Sequence, residues 1–235
     1  MKDADLNVSY CAVDALGKIG SEQALLGLLK LVEDANHHVR WSVAHALGEI
    51  GSEQALPALL KLLENVSPTV CKWAVNALGK IGSEQAIPAL LKLVEDADSE
   101  VRQNVADALG KIGSEQAIPA LLQLLEDTDS SVCWRAEDAL RRTAKQYANE
   151  IAPYLPHLLT LISTESGEYA DRTIRAIQEN CKYYNYEIFQ SHLAAQKADR
   201  PTNQTSDRPI TYEVNAEVVQ IVENNYGTIH GKQTP

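Results

Sequence analysis

The stretch Ala108-Leu109-Gly110-Lys111-Ile112-Gly113-Ser114-Glu115-Gln116-Ala117 decides the fold, because it recurs. The same string, with one variable residue after the first glycine, begins at Ala15, Ala46, Ala77 and Ala108, a constant step of 31 residues. Self-similarity at a fixed period of this size is the signature of stacked supersecondary units. Four units result, residues 4–34, 35–65, 66–96 and 97–127. A fifth opens at Thr128 with Val132 and Ala139-Leu140, then loses the pattern to Arg141-Arg142-Thr143-Ala144.

Each unit reads as two helices. In the fourth, Val101, Val105, Ala108, Leu109 and Ile112 fall on one helical face. Gly113 comes next as a stop, since glycine takes the left-handed C′ conformation without a Cβ clash. Ser114 then suits the N-cap of a second helix, Glu115 to Leu125. Pro119 lies inside that helix, as do Pro57 and Pro88 in theirs, so a loose first turn or a kink is expected there. The first unit has Leu26 at this position. Two helices of this length cannot bury their own apolar stripe, so the units must stack into an all-α solenoid.

Composition agrees and excludes several classes. The chain has 235 residues, 45 % apolar and 23 % charged, with a formal charge of −11. An acidic surface is the wrong sign for a duplex nucleic-acid binder. No apolar run is long enough for a transmembrane helix, and the polar Met-Lys-Asp-Ala-Asp start is not a secretory or transit peptide. A cytoplasmic chain is therefore expected, with Cys11, Cys71, Cys133 and Cys181 as reduced, buried or half-buried thiols.

Because the units are near copies, the columns in which they differ carry information. The second helix hardly changes; variation gathers in the first. One column reads Asn7, His38, Thr69, Glu100, Ser131, and the next Tyr10, Trp41, Lys72, Gln103, Trp134. Then come Cys11, Ser42, Trp73, Asn104, Arg135, and finally Asp14, His45, Asn76, Asp107, Asp138. Spaced i, i+3, i+4 and i+7, these columns form one stripe, and stacking sets the stripes side by side. All three tryptophans lie on it. They could be core residues, but Ser42, Lys72, Gln103 and Asn104 share their columns and suit a surface better. Trp and Tyr flanked by Arg40, Arg102 and Arg135 have the composition of a protein-binding patch. The candidate partner-binding residues are Tyr10, His38, Trp41, His45, Lys72, Trp73, Gln103, Asn104, Trp134 and Arg135.

The motif V-x-x-x-A/V-x-x-A-L-G-x-I-G-S-E-Q-A-I/L-P-A-L-L-K-L resembles the HEAT-like repeats of phycobilisome-lyase-type proteins and of artificial scaffolds built on their consensus. The resemblance is close over 4–127 and loose over 128–195. It implies that the first-helix stripe is the concave ligand face, and it brings the alternative of a lyase-like protein holding a tetrapyrrole. HEAT-type deoxyhypusine hydroxylases carry His-Glu dipeptides for di-iron, and this sequence has none.

No catalytic motif is present, so no enzyme activity and no cofactor are expected. His37, His38 and His45 lack a fourth ligand for a metal. The carboxylates of Glu95–Glu100 and Glu126–Asp129 lack the glycine and spacing of a calcium loop and read as helix caps.

The ends differ from the array. The chain opens directly in a repeat helix with no polar capping unit, consistent with a self-sufficient chain, with an end-on partner, or with part of a larger protein. The domain expectation is an array over 4–164, with a helical cap over 165–195, a polar linker over 196–209 and a tail over 210–235. The string Ile177-Gln-x-x-Cys181-x-x-Tyr184-Asn185-Tyr186-Glu187-Ile188 resembles the closing region of NACHT-type STAND NTPases, which implies a sensor region of a signalling switch. In the tail, Ile210, Tyr212, Val214, Ala216 and Val218 alternate with polar residues before Asn224-Asn225-Tyr226-Gly227, a turn signal. A lone hairpin is marginal in water. The tail is thus a disordered segment, a strand docking on a partner, or a self-pairing strand.

Overall fold

The computed structural model describes residues 2–34, 36–64, 67–151, 154–161 and 167–180. The linker, the tail, Cys181 and most of the NACHT-like string lie outside the described residues. Contacts divide the chain into two units, Met1–Thr143 and Ala144–Pro235.

The first unit is built from two-helix repeats. The first helices are α1 (Lys2–Ile19), α3 (His37–Ile50), α5 (Pro68–Ile81) and α7 (Ser99–Ile112), and then the start of α9 (Ser130–Ile151). The second helices are α2 (Glu22–Leu29), α4 (Leu56–Leu63), α6 (Ile87–Leu91) and α8 (Ile118–Leu125). The first helices stack in chain order, α1 on α3, α3 on α5 and α5 on α7. Leu47, Leu78 and Leu109 from these helices and Leu28, Leu59, Leu90 and Leu121 from the second helices are fully buried between them. This is the α-solenoid core expected from the 31-residue period.

Local chemistry sets each corner. Gly51, Gly82 and Gly113 end their helices at φ +67°, +74° and +66°, and each donates its N–H back to the leucine four residues earlier. Ser52 and Ser114 then accept the N–H of Gln54 and Gln116. The proline shapes the start of the second helix. It lacks an N–H, and its ring would strike the carbonyl four residues back in a continuous α-helix. In the three repeats that carry it, Glu53–Ala55, Glu84–Ala86 and Glu115–Ala117 form a 3-10 turn before the α-helix begins. In the first repeat, with Leu26 in that place, α2 runs unbroken from Glu22. Of the two expectations for this position, the loose turn is the one found.

The first glycine of Ala-Leu-Gly has a different role from the second. A Cβ on Gly48 would lie 2.8 Å from Ala77 Cα, on Gly79 2.7 Å from Ala108 Cα, and on Gly110 2.5 Å from Ala139 Cβ. Glycine on one first helix against alanine on the next allows backbones to meet at the short end of the usual 8–10 Å packing range. In the fifth repeat this column is Arg141, which pairs with Glu137 and Asp138 instead.

The acidic loops act as caps. Asp98 accepts the N–H of Glu100 at the start of α7, and Asp129 accepts that of Ser131 at the start of α9. Asp96 and Asp127 accept the N–H groups two residues on.

In the second unit, α9 continues to Ile151 with a break at Tyr147 (φ −121°, ψ 35°). There α10 (Leu155–Leu161) packs on α11 (Gly167–Asn180), burying Leu158, Ile174 and Ile177.

Candidate functional site

The ten candidate partner-binding residues come from exposed or half-buried positions of α1, α3, α5, α7 and α9. Tyr10 is 44 % exposed and Trp134 50 %, whereas Trp41 and Trp73 are half-buried. The rings of three successive repeats form a ladder. Tyr10 and Trp41 have centroids 5.7 Å apart, and Trp41 stacks on Trp73 at 5.6 Å with an interplanar angle of 26°. His45 meets Trp73 edge-on at 4.8 Å, and Trp41 Nε1–H donates to His38 Nδ1 at 3.4 Å. Stacked and edge-to-face pairs at these distances are attractive beyond the area they bury.

Polar groups continue the face toward α7. Lys72 on α5 pairs with Glu100 on α7, and Lys80 pairs with Glu49 on α3. That second pair holds the Glu49 carboxyl below the ordinary carboxylate range through the hydrogen bond from Lys80. Asn104 donates to the Glu100 carbonyl at 2.6 Å. Lys72, Trp73, Asn76 and Asn104 line a small hollow of about 230 Å³. Gln103 is half-buried beside Asn104. Trp134 and Arg135 make their own pair, the guanidinium 5.9 Å from the ring centroid.

Three expectations need correction. Ser42 is buried at 4 % exposure, because its hydroxyl donates to the His38 carbonyl 2.7 Å away and no longer needs water. Cys11 is exposed, while Cys71 and Cys133 are buried. Arg40 and Arg102 do not flank the rings. Arg40 Nη1 donates to the Asp34 carbonyl, and Arg102 Nη1 to the Asp96 carbonyl, both in the loops between repeats. Arg102 also grips Asp127 with two bonds, Nε to Oδ2 at 2.6 Å and Nη2 to Oδ1 at 2.8 Å, both side chains nearly buried. Burial alone would raise the Asp127 pKa, but the hydrogen bond from Arg102 and that from the Asp129 backbone hold it below the ordinary carboxylate range. The arginines are loop ties.

The column reading passed over Asn76 and Glu100 as site residues. Their signal was present: both stand in stripe columns whose other members are polar or aromatic. Among the described residues, no group of three or more His, Cys, Asp or Glu could hold a metal ion, and no helix is long and apolar enough to cross a membrane.

Several solved repeat proteins are similar to this chain at about a quarter identity, two of them as follows. A designed armadillo repeat protein in complex with the peptide (KR)4 is 25 % identical, with a TM-score of 0.57 over 74 % of this chain and 92 % of that one. An engineered protein is 26 % identical, with a TM-score of 0.51 over 76 % and 94 %. The complex of CpcE and CpcF of phycocyanin lyase from Nostoc sp. PCC7120 is similar in fold alone, at 21 % identity and a TM-score of 0.54, covering 84 % and 91 %. No curated protein matches the chain. The family profile described as HEAT repeats matches residues 1–74 and 58–141, the same span in which the two-helix units stack, and the chain belongs to that family.

Proposed function

We propose that this chain is a non-catalytic scaffold that binds another protein through the face carrying Tyr10, Trp41 and Trp73. The ladder carries the reading. Three rings from three repeats meet in line on a partly exposed face, in the columns where otherwise near-identical repeats differ. Second-helix residues, which only need to pack, stayed uniform; a face selected for a ligand has reason to diverge. Aromatic anchors with polar neighbours are the residues that dominate binding energy at protein interfaces. The peptide held by the designed armadillo protein supports a polypeptide ligand for a solenoid of this kind.

The test is affinity capture from source-cell extract, wild type beside a Trp41→Ala/Trp73→Ala variant of matched helical signal. A hot-spot loss of at least ~2 kcal/mol is about 30-fold in affinity, so partners seen with wild type should vanish with the variant. Identical captures would overturn the proposal. The resemblance to lyase-type repeats supplies the alternative, a subunit holding a tetrapyrrole, and an absorbance change on mixing the purified chain with a bilin would favour it.

A further inference from the structure

We propose that the hollow beside Trp73 binds a tyrosine-type aromatic side chain of the partner, which supplies the ring missing from the fourth repeat. This rests on the stripe being a binding face and names what that face takes. The ladder gains one ring per repeat, Tyr10 on α1, Trp41 on α3 and Trp73 on α5, with centroids 5.7 and 5.6 Å apart. On α7 the same two columns hold Gln103 and Asn104, and the ring returns on α9 as Trp134. Between Trp73 and the ringless position lies the hollow, about 230 Å³, lined by Lys72, Trp73, Asn76 and Asn104. A cavity of roughly 150 Å³ is enough to admit benzene, so a phenol ring has room here.

The lining chooses among side chains. Trp41 stacks on Trp73 and His45 meets it edge-on, and the same indole also lines the hollow, giving it an aromatic wall. The Asn76 amide makes no hydrogen bond among the described residues, and Asn104 uses only its Nδ2–H, on the Glu100 carbonyl, so two amides remain to meet a hydroxyl. An aliphatic side chain would cover those polar groups without pairing them, which is unfavourable. The Lys72 ammonium repels an incoming cation, and its pairing with Glu100 removes most of its attraction for an anion. A neutral aromatic group with a polar edge satisfies every wall.

The probes are N-acetyl-tyrosinamide and N-acetyl-leucinamide, titrated into the full chain. The readout is the three tryptophan indole N–H signals in ¹H–¹⁵N spectra, assigned by single Trp→Phe substitutions. The expected result is a saturable shift at Trp73 and none at Trp134, with the leucine probe about tenfold weaker. Asn104→Trp, which sets a ring in the hollow, should abolish the response at unchanged helicity. Equal response to both probes, or full response in Asn104→Trp, would overturn the proposal. A random peptide library selected on the wild-type chain and counter-screened on Trp41→Ala separates this inference from its foundation. Trp41-dependent peptides sharing a Tyr or Trp, rings with a polar edge, support it. Trp41-dependent peptides sharing neither overturn the hollow and leave the binding face standing. A tyrosinamide response at Trp73 with no Trp41-dependent peptide upholds the hollow and overturns the face.

Discussion

Replacing Gly79 by alanine adds one methyl group to the middle of the repeat stack. That methyl carbon would sit 2.7 Å from Ala108 Cα and 2.9 Å from Ala108 Cβ, where carbon atoms ordinarily rest about 3.5–4.0 Å apart. The obstruction is backbone on α7, so no rotamer can yield; α5 and α7 must separate by roughly 1 Å. Overpacking of this kind costs about 1–3 kcal/mol. Alanine also gains about 1 kcal/mol over glycine from helix propensity, which partly hides the steric cost. Gly27 in α2 removes that ambiguity, since a Cβ there meets nothing within 4 Å and Gly27→Ala collects the propensity gain alone. The difference between the two variants isolates the clash, ~1–3 kcal/mol, or roughly 2–12 °C in Tm for a chain of this size. Thermal unfolding measured by far-UV circular dichroism gives it. If Gly79→Ala and Gly27→Ala stabilise equally, the close first-helix approach does not hold and the explanation of the Ala-Leu-Gly motif fails.

Asp127→Asn should destabilise by about 3 kcal/mol, because it leaves the nearly buried Arg102 guanidinium without its carboxylate. Since the folded Asp127 pKa lies below its unfolded value of about 3.9, the stabilisation is complete above that pH and lost as pH falls through the folded value. The gap between wild type and variant in acid unfolding should therefore close below about pH 4, and a constant gap into strong acid would contradict the assignment. In a Cys181→Ser background, Cys11 should react with a thiol reagent in the folded state while Cys71 and Cys133 do not; burial, with Asp96 and Asp98 nearby, pushes the Cys71 thiol up to about 11. Rapid labelling of all three would refute the burial pattern. Pro119→Leu should turn Glu115–Ala117 from a 3-10 turn into the first turn of a continuous helix, as Leu26 permits in the first repeat, and backbone chemical shifts over those residues report it.

Repetition made the local devices of the fold visible in the sequence. The period, the glycine corner at Gly113, the serine cap at Ser114 and the loosened turn before Pro119 are of this kind, and four copies of the motif leave little room for error. The role of Gly48, Gly79 and Gly110 was not legible, since it depends on how near the next helix comes, a distance no single repeat encodes. Arg40 and Arg102 were misplaced for a related reason. Column position fixes the angle at which a side chain leaves its helix, but a long guanidinium side chain goes where carbonyls wait, here the loops at Asp34 and Asp96. Ser42 misled through chemistry: a hydroxyl that bonds back to the carbonyl of its own helix loses its claim on water.

The rings themselves sit between the two categories that a surface-or-core reading allows. Trp41 is covered on one side by Tyr10 and on the other by Trp73, so part of its surface stabilises the stack and only the remainder faces a ligand. An alanine at Trp41 therefore removes inter-repeat contacts as well as any partner contact, at about 0.5–1.5 kcal/mol for each lost ring pair beyond its area. Trp134 is half exposed, makes no ring–ring contact among the described residues and has the Arg135 guanidinium of its own helix over its ring. Its truncation should leave unfolding nearly unchanged. The comparison separates stack from site: a partner lost on Trp41→Ala but kept on Trp134→Ala confines binding to the first three repeats, where the ladder is continuous. Loss on both extends the face across the ringless fourth repeat, and a polypeptide spanning that gap would pass directly over the hollow beside Trp73.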